Sequence, residues 1–294
     1  MMELVKLNKK YFPELEKLNE DRLQFNQVNE DFFSVYHSCS FAQQFLLRNK
    51  VRLLKSNTDI IGYLWYTVFD KNVCFINSMY IDNSKFNGVP LKDLYGKFIN
   101  FLKPKYDVRY YYECNNTNFS ILNELGFNKC EGVIDMKCNI SDIIGCSDFS
   151  NVDFEVFKKG THEALRCKIQ NEVFKNDSRM PLEVEDIYFD ELQNYYFDEG
   201  AIFIKQENKY IGYGQIIIDN NHAIIVNVGI LNPYRGKGYG KELLYYLIGI
   251  IKSKGYEEVS IKVASNNFVA LNLYKSMGFI SYKETYNMIL KRSR

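Results

Sequence analysis

Gly236, Gly238 and Gly240 stand at alternate positions in the segment 232–240, NPYRGKGYG. Before them, residues 223–231 form a largely β-branched apolar run that reads as a buried strand, broken by Asn232-Pro233. After them, Leu243, Leu244, Leu247, Ile248 and Ile251 recur at helical spacing, and Gly255 is placed to end that helix, expected over 241–254. A strand, a glycine loop and a helix turn backbone N–H groups and the positive end of a helix dipole toward one point, where a phosphate binds. Glycines suit such a loop because a Cβ would block close approach and positive φ. Two phosphate-binding patterns are absent: no Lys-Ser or Lys-Thr completes a P-loop, and the glycines run GxGxG rather than GxGxxG.

A second constellation follows one strand later. Residues 259–263 read as that strand, and it leads into Asn267-x-x-Ala270-x-x-Leu273-Tyr274-x-x-x-Gly278-Phe279. Together with Arg235-x-x-Gly238-x-Gly240, this resembles the two signatures of the GNAT acetyltransferase superfamily, most closely over residues 200–290. The resemblance implies an α/β fold of two tandem GNAT-like domains, each a mixed, mostly antiparallel twisted sheet flanked by helices. It implies acetyl-CoA as co-substrate, with Arg235, Gly236, Lys237, Gly238, Tyr239, Gly240 and Lys241 at the pyrophosphate. The strand from Val226 to Ile230 would pair with the pantetheine arm, and an N–H among Val228, Gly229 and Ile230 would serve the oxyanion. Asn267 either binds a pantetheine amide or caps its helix. Tyr274 is the expected general acid, although Ala270, Leu273, Tyr274 and Met277 also make an apolar helical stripe in which a tyrosine is simply core. Where many family members carry a Glu or Asp on the loop strand, this chain has Asn227, which cannot accept a proton at neutral pH but can order a water or bind substrate.

The activity so implied is N-acyl transfer to an amine on a small molecule or peptide; a non-catalytic acyl-CoA sensor or scaffold is the alternative. Upstream, Glu183, Glu185, Asp186, Asp190, Glu191, Asp198 and Glu199 interleave with five aromatic residues. They read either as a solvated helix face or as the wall of a site for a cationic amine.

Composition permits this reading. At 294 residues, 46% hydrophobic and 16% aromatic, the chain can fill two cores. With 37 basic and 36 acidic residues it has no nucleic-acid or anionic-membrane footprint, and the basic end Lys291-Arg292-Ser293-Arg294 reads as a solvated tail. No run is long and apolar enough to span a bilayer, and residues 1–30 are too charged for a signal peptide, so a cytoplasmic location is expected. The seven cysteines (Cys39, Cys74, Cys114, Cys130, Cys138, Cys146 and Cys167) contain no CxxC, and with His37, His162 and His222 they suggest reduced thiols and no metal.

The first half repeats the order of the second. Residues up to 49 read as helical, followed by strands at 51–54, 60–69 and 73–81, a helix at 91–102 and a strand at 108–112. Gly126 and Gly278 are 278 − 126 = 152 residues apart, and the same offset sets Asn115 on Asn267 and Phe127 on Phe279. It also sets Leu122 on Tyr274, and, with one deletion, Lys85-x-x-Gly88-x-Pro90 on the intact loop. Proline has no N–H, so the first loop lacks a donor where the last glycine of the second stands. The expectation is a degenerate first domain over 1–140 and a catalytic one over 150–294, joined by a polar linker.

Overall fold

The computed structural model describes residues 2–70, 72–85, 88–143, 149–175 and 179–292. Cys146, Ser293, Arg294, residues 86 and 87 of the first loop, and 144–148 of the expected linker lie outside the described residues. Two compact units are present, one formed by 1–133 with 283–294, the other by 134–282. They differ from the division expected at 140–150 because each unit takes in a terminal strand from the other half of the sequence.

The first unit contains β1 (Met2–Lys6), β2 (Val51–Ser56), β3 (Asp59–Asp70), β4 (Val73–Ile81) and β5 (Asp107–Glu113). Its helices are α1 (Phe12–Glu20), α2 (Phe32–Ser38), α3 (Phe41–Arg48), α4 (Leu91–Phe101) and α5 (Asn116–Glu124). Strand β1 departs from the helical expectation: it pairs antiparallel with β2, Met2 opposite Ser56 through Lys6 opposite Arg52. Strand β5 alternates inward Val108, Tyr110 and Tyr112 with outward Arg109 and Tyr111, as one buried face requires. Beside it lies most of the last strand of the chain, with Thr285 opposite Glu113 through Leu290 opposite Val108.

Strands β4 and β5 run parallel from Val73–Ile76 against Asp107–Tyr110, and among the described residues their pairing does not continue beyond. Past that point two asparagines from the segment after α1 bridge them. Asn29 Nδ2 donates to the Met79 carbonyl at 3.0 Å. Asn26 Nδ2 donates to the Tyr111 carbonyl at 3.0 Å, and Asn26 Oδ1 accepts from the Glu113 N–H at 2.9 Å. Both asparagines are buried.

The second unit comprises residues 134–139 of β6 (Asn128–Asn139), then β7 (Asp153–Val156), β8 (Tyr196–Gln206), β9 (Lys209–Asp219), β10 (His222–Ile230) and β11 (Glu258–Ala264). The sheet order within it is β6-β11-β10-β9-β8-β7. Its helices are α6 (Glu163–Val173), α7 (Val184–Glu191), α8 (Tyr239–Ser253) and α9 (Phe268–Ser276); β12 (Ile280–Leu290) starts here and continues into the first unit. Leu243, Leu244, Leu247, Ile248 and Ile251 of α8 pack on Ile225, Ile211 and Ile216, so the stripe read from the sequence is the core face.

Helix α8 begins two residues earlier than expected. Gly238, at φ +90°, makes the left-handed turn before it, so Gly240 already lies in the first helical turn. The 152-residue offset survives as conformation: Asn115 and Asn267 each cap a helix through Oδ1, and Gly126 and Gly278 follow those helices at φ +87° and +96°.

Candidate functional site

The site is built on an interruption of β10. Opposite β9, Val226 faces Gln215 and Gly229 faces Tyr213, so the register skips Asn227 and Val228. Asn227 sits at φ +56°, the left-handed region that asparagine tolerates better than most side chains. Such a bulge bends its strand. Strands β10 and β11 accordingly pair in parallel only from Ala223–Ile225 against Val259–Ile261. A cavity of about 240 Å³ opens beyond, lined by Asn227 and Val228 on one strand, Val263 and Ala264 on the other, and Asn267 and Tyr274 of the α9 segment.

Gly229 and Ile230 rejoin the ladder opposite Tyr213 and Gly212, so among the three strand positions singled out in the sequence only Val228 lies in the skipped register. Gly229 is needed for a different reason: a Cβ there would lie 2.0 Å from Val173 Cγ1, so its absence lets α6 close on the strand. Arg235 also has a structural task. Its Nε donates to the Ile230 carbonyl at 2.8 Å and its Nη2 to the Val173 carbonyl at 2.9 Å, which ties the start of the loop to strand and helix.

Beyond Arg235, Gly236 turns at φ +76° and Gly238 at +90°, each with open space where a Cβ would stand. The glycines are therefore required by conformation, not by packing. The N–H groups of Lys241 and Glu242 bond the Gly238 carbonyl, whereas those of Gly236, Lys237, Gly238, Tyr239 and Gly240 have no acceptor among the described residues. These donors, at the positive end of a 15-residue helix, form a cradle for an anion. Lys237 and Lys241 flank it, over the rings of Tyr234 and Tyr245 at 5.8 and 5.6 Å. Loop residues 235–241 do not line the cavity; the structure brings Asn227, Val228, Asn267 and Tyr274 together there.

Asn267 Oδ1 accepts from the Ala270 N–H at 3.1 Å, so this side chain is a helix cap. Tyr274 is 6% exposed, its ring is tilted against Phe279 at 6.0 Å, and its hydroxyl has no hydrogen-bond partner among the described residues. Burial alone pushes its pKa up to about 12. The two sequence readings of this residue thus meet in one side chain, packed in the core cluster yet lining the cavity.

A buried polar network behind the bulge was not legible in the sequence. Asn227 Nδ2 donates to Gln215 Oε1 at 3.1 Å, and Gln215 Nε2 donates to Asp190 Oδ2 at 3.1 Å. Arg166 Nη2 donates to both Asp190 Oδ2 at 2.6 Å and Gln215 Oε1 at 2.8 Å. Arg166 is 1% exposed, so its charge is compensated by Asp190 and by the face of Tyr213 at 5.0 Å. Of the seven upstream carboxylates, Asp190 thus braces the bulge, and none lines the cavity.

Residues 170–279 match the model of the acetyltransferase (GNAT) family. The N-acetyltransferase YycN of Bacillus subtilis (strain 168) is 35% identical over 77 residues, 25% of this chain and 49% of that protein. The [ribosomal protein bS18]-alanine N-acetyltransferase of Haemophilus influenzae is 36% identical over 76 residues, again 25% of this chain and 50% of that protein. The chain therefore spans about half the length of these curated relatives. A GCN5-related N-acetyltransferase from Sphaerobacter thermophilus has the same fold over 100% of this chain and 96% of its own, with a TM-score of 0.60 at 14% identity. The matched segment 170–279 carries the bulged strand, the glycine loop and the Tyr274 wall, and it is this part of the chain that is similar to the GNAT acetyltransferase family.

Proposed function

We propose that the chain is an acyl-CoA-dependent N-acetyltransferase whose single acyl-donor site lies between β10 and β11. The observation that carries this reading is the cavity where those strands part, with a cradle of unaccepted N–H groups at the end of β10 and Tyr274 in its wall. The residues suit the donor: its pyrophosphate is an anion for the cradle, and its amide-bearing arm is a partner for backbone exposed by the bulge. When bound, acetyl-CoA supplies a thioester carbonyl, an electrophile with a leaving thiolate.

The chain's own groups then have separate tasks. The skipped register frees the Val228 region to donate a hydrogen bond to the carbonyl oxygen as negative charge develops. The amine nitrogen forms the new C–N bond, the C–S bond breaks, the amine proton leaves to water, and the thiolate takes the Tyr274 hydroxyl proton. Water returns a proton to Tyr274, and the sum is amide plus free thiol. Moving a proton from a group near 12 to a thiolate near ~8.5 is uphill by roughly 5 kcal/mol. The same dry wall raises the basicity of a thiolate formed against it, which narrows that gap. Asn227 leaves the site without a base on the strand, so an amine that gives up its proton readily is favoured. A peptide α-amine near ~8 is closer to neutrality at pH 7 than a lysine near ~10.4.

The test is thiol release from acetyl-CoA with a panel of amines, beside CoA binding measured alone. Amine-dependent release supports the reading; tight CoA binding with no release from any amine contradicts it. The two-copy arrangement, with only the second copy active, belongs to the same proposal. It is supported by the shared element order and the 152-residue offset.

A further inference from the structure

We infer that the acceptor is a small amine bearing a carboxylate, held by Arg179, Lys175 and Lys168; this rests on the acyltransferase reading above. A second cleft, of about 530 Å³, is lined by these three cations together with Asn171, Glu172 and Phe174. Phe174 and Arg179 line both this cleft and the acyl cavity. A molecule in the larger cleft therefore reaches the thioester position without crossing the core.

The helix sets the charge. Ile169 and Val173 of α6 pack inward, which leaves Lys168 and Glu172 at i and i+4 exposed on its outer side, and Lys175 follows two residues past the helix end, also exposed. Asn171 is occupied otherwise: it donates to the Leu182 carbonyl at 2.8 Å and accepts from the Leu182 N–H at 2.7 Å, fixing the opposite wall. Arg179 lies over the Phe174 ring at 4.9 Å, which orients its guanidinium at the junction of the two clefts. Among the described residues of the lining, Lys168, Lys175 and Arg179 stand with one carboxylate, Glu172. Among the described residues, no carboxylate forms an ion pair with Lys168, Lys175 or Arg179. An unpaired guanidinium beside the reacting centre fits a carboxylate, which it can grip through two hydrogen bonds. The cleft has room for a dipeptide, whose α-amine gives up its proton readily and whose carboxylate lies a few bonds away.

The experiment compares Ala-Ala with Ala-Ala-amide, which share an α-amine and differ in the carboxylate. With the full chain and acetyl-CoA, kcat/KM should be about tenfold or more higher for the acid, the effect of about one charge-assisted hydrogen bond. In Arg179→Ala that ratio should fall toward one, and Lys175→Ala, outside the acyl cavity, should reduce it partway while KM for acetyl-CoA holds. Equal rates on acid and amide overturn the proposal and leave the acyltransferase reading intact, as would a longer peptide with a neutral N-terminal region reacting as well as Ala-Ala. If no amine turns over, the acyltransferase reading fails separately, and calorimetry of the two dipeptides against the CoA-loaded chain decides. Preference for the acid supports the anion site, while equal binding, or binding of neither, ends it.

Discussion

The gap between β10 and β11 and the gap between β4 and β5 begin alike and end differently. Each pair runs parallel for a few residues and then parts. In the second unit the parting leaves a cavity, and among the described residues no side chain bonds the backbone of Val226, Val228 or Val263. In the first unit Asn26 and Asn29 stand in the gap, and their amides meet the carbonyls of Met79 and Tyr111 and the N–H of Glu113. Diverging strands expose polar backbone that must find partners. One unit satisfies it from its own chain, where the proposed donor arm would do so in the other. The loops differ in the same direction: Gly236 and Gly238 shape an open cradle, while Pro90 stands at the N-cap of α4 without an N–H to offer. The comparison extends to Tyr274, whose counterpart at the 152-residue offset is Leu122, buried and unable to donate a proton.

This contrast is most sharply broken at the loop. Gly238→Pro forces φ from +90° to about −65° and deletes an N–H, so CoA affinity should fall beyond measurement in equilibrium binding. Gly88→Ala, at φ +91° in the first unit, should leave CoA affinity at the wild-type value despite its own backbone strain. Loss of binding in both variants would erase the distinction between the loops.

Tyr274→Phe keeps the ring and its packing and removes the hydroxyl. Turnover should fall by roughly 10²–10⁴-fold, the usual effect of losing a positioned acid, with melting temperature and CoA affinity nearly unchanged. Wild-type turnover in a folded variant would reduce Tyr274 to a core aromatic like its counterpart Leu122.

Asn29→Ala addresses the filled gap. It strips the Met79 carbonyl and the Tyr110 hydroxyl, 2.7 Å from Asn29 Oδ1, of their buried partners. The first unit should lose about 1–3 kcal/mol per orphaned group in urea titrations, and thiol release should be unaffected below the transition. Unchanged stability would mean that the asparagines do not hold the gap closed.

The smallest effect is on acid stability. Glu155, on edge strand β7, accepts from Lys205, Tyr210 and Lys158 at 3.0, 2.9 and 3.1 Å, and these bonds hold its pKa down at about 2. A depressed carboxylate contributes stability that is complete above the usual ~4.3 and is lost as pH falls through about 2. Glu155→Gln should therefore flatten the acid limb of the second unit's stability profile in that window. An unchanged limb would remove this cluster from the account.

Much of the second unit was legible in the sequence because its punctuation is strong. Asn232-Pro233, the spaced glycines and Gly255 bound their elements with little room for another reading. The bulge had a signal that went unused: an asparagine two residues before a glycine, inside a β-branched run, is where a left-handed residue fits. Arg166 gave none, since an arginine on a helix reads as solvated, and its partner Asp190 lies 24 residues away. Asn26 and Asn29 likewise read as turn residues, because their bonds run to Tyr111 and Met79, 85 and 50 residues on. Strand β1 is five residues long with a charged residue at each of two positions, too short to show alternation. The assignment of 283–290 to the first unit was invisible for a simpler reason: a strand's alternation says which face is buried, not which neighbour it pairs with.

Calorimetric titration of the intact chain with CoA separates the two units, because it counts clefts. One filled by its own asparagines and one open predict a single site per chain, lost in Gly238→Pro and retained in Asn29→Ala. Two equivalent sites per chain, or one site that survives Gly238→Pro, would contradict it.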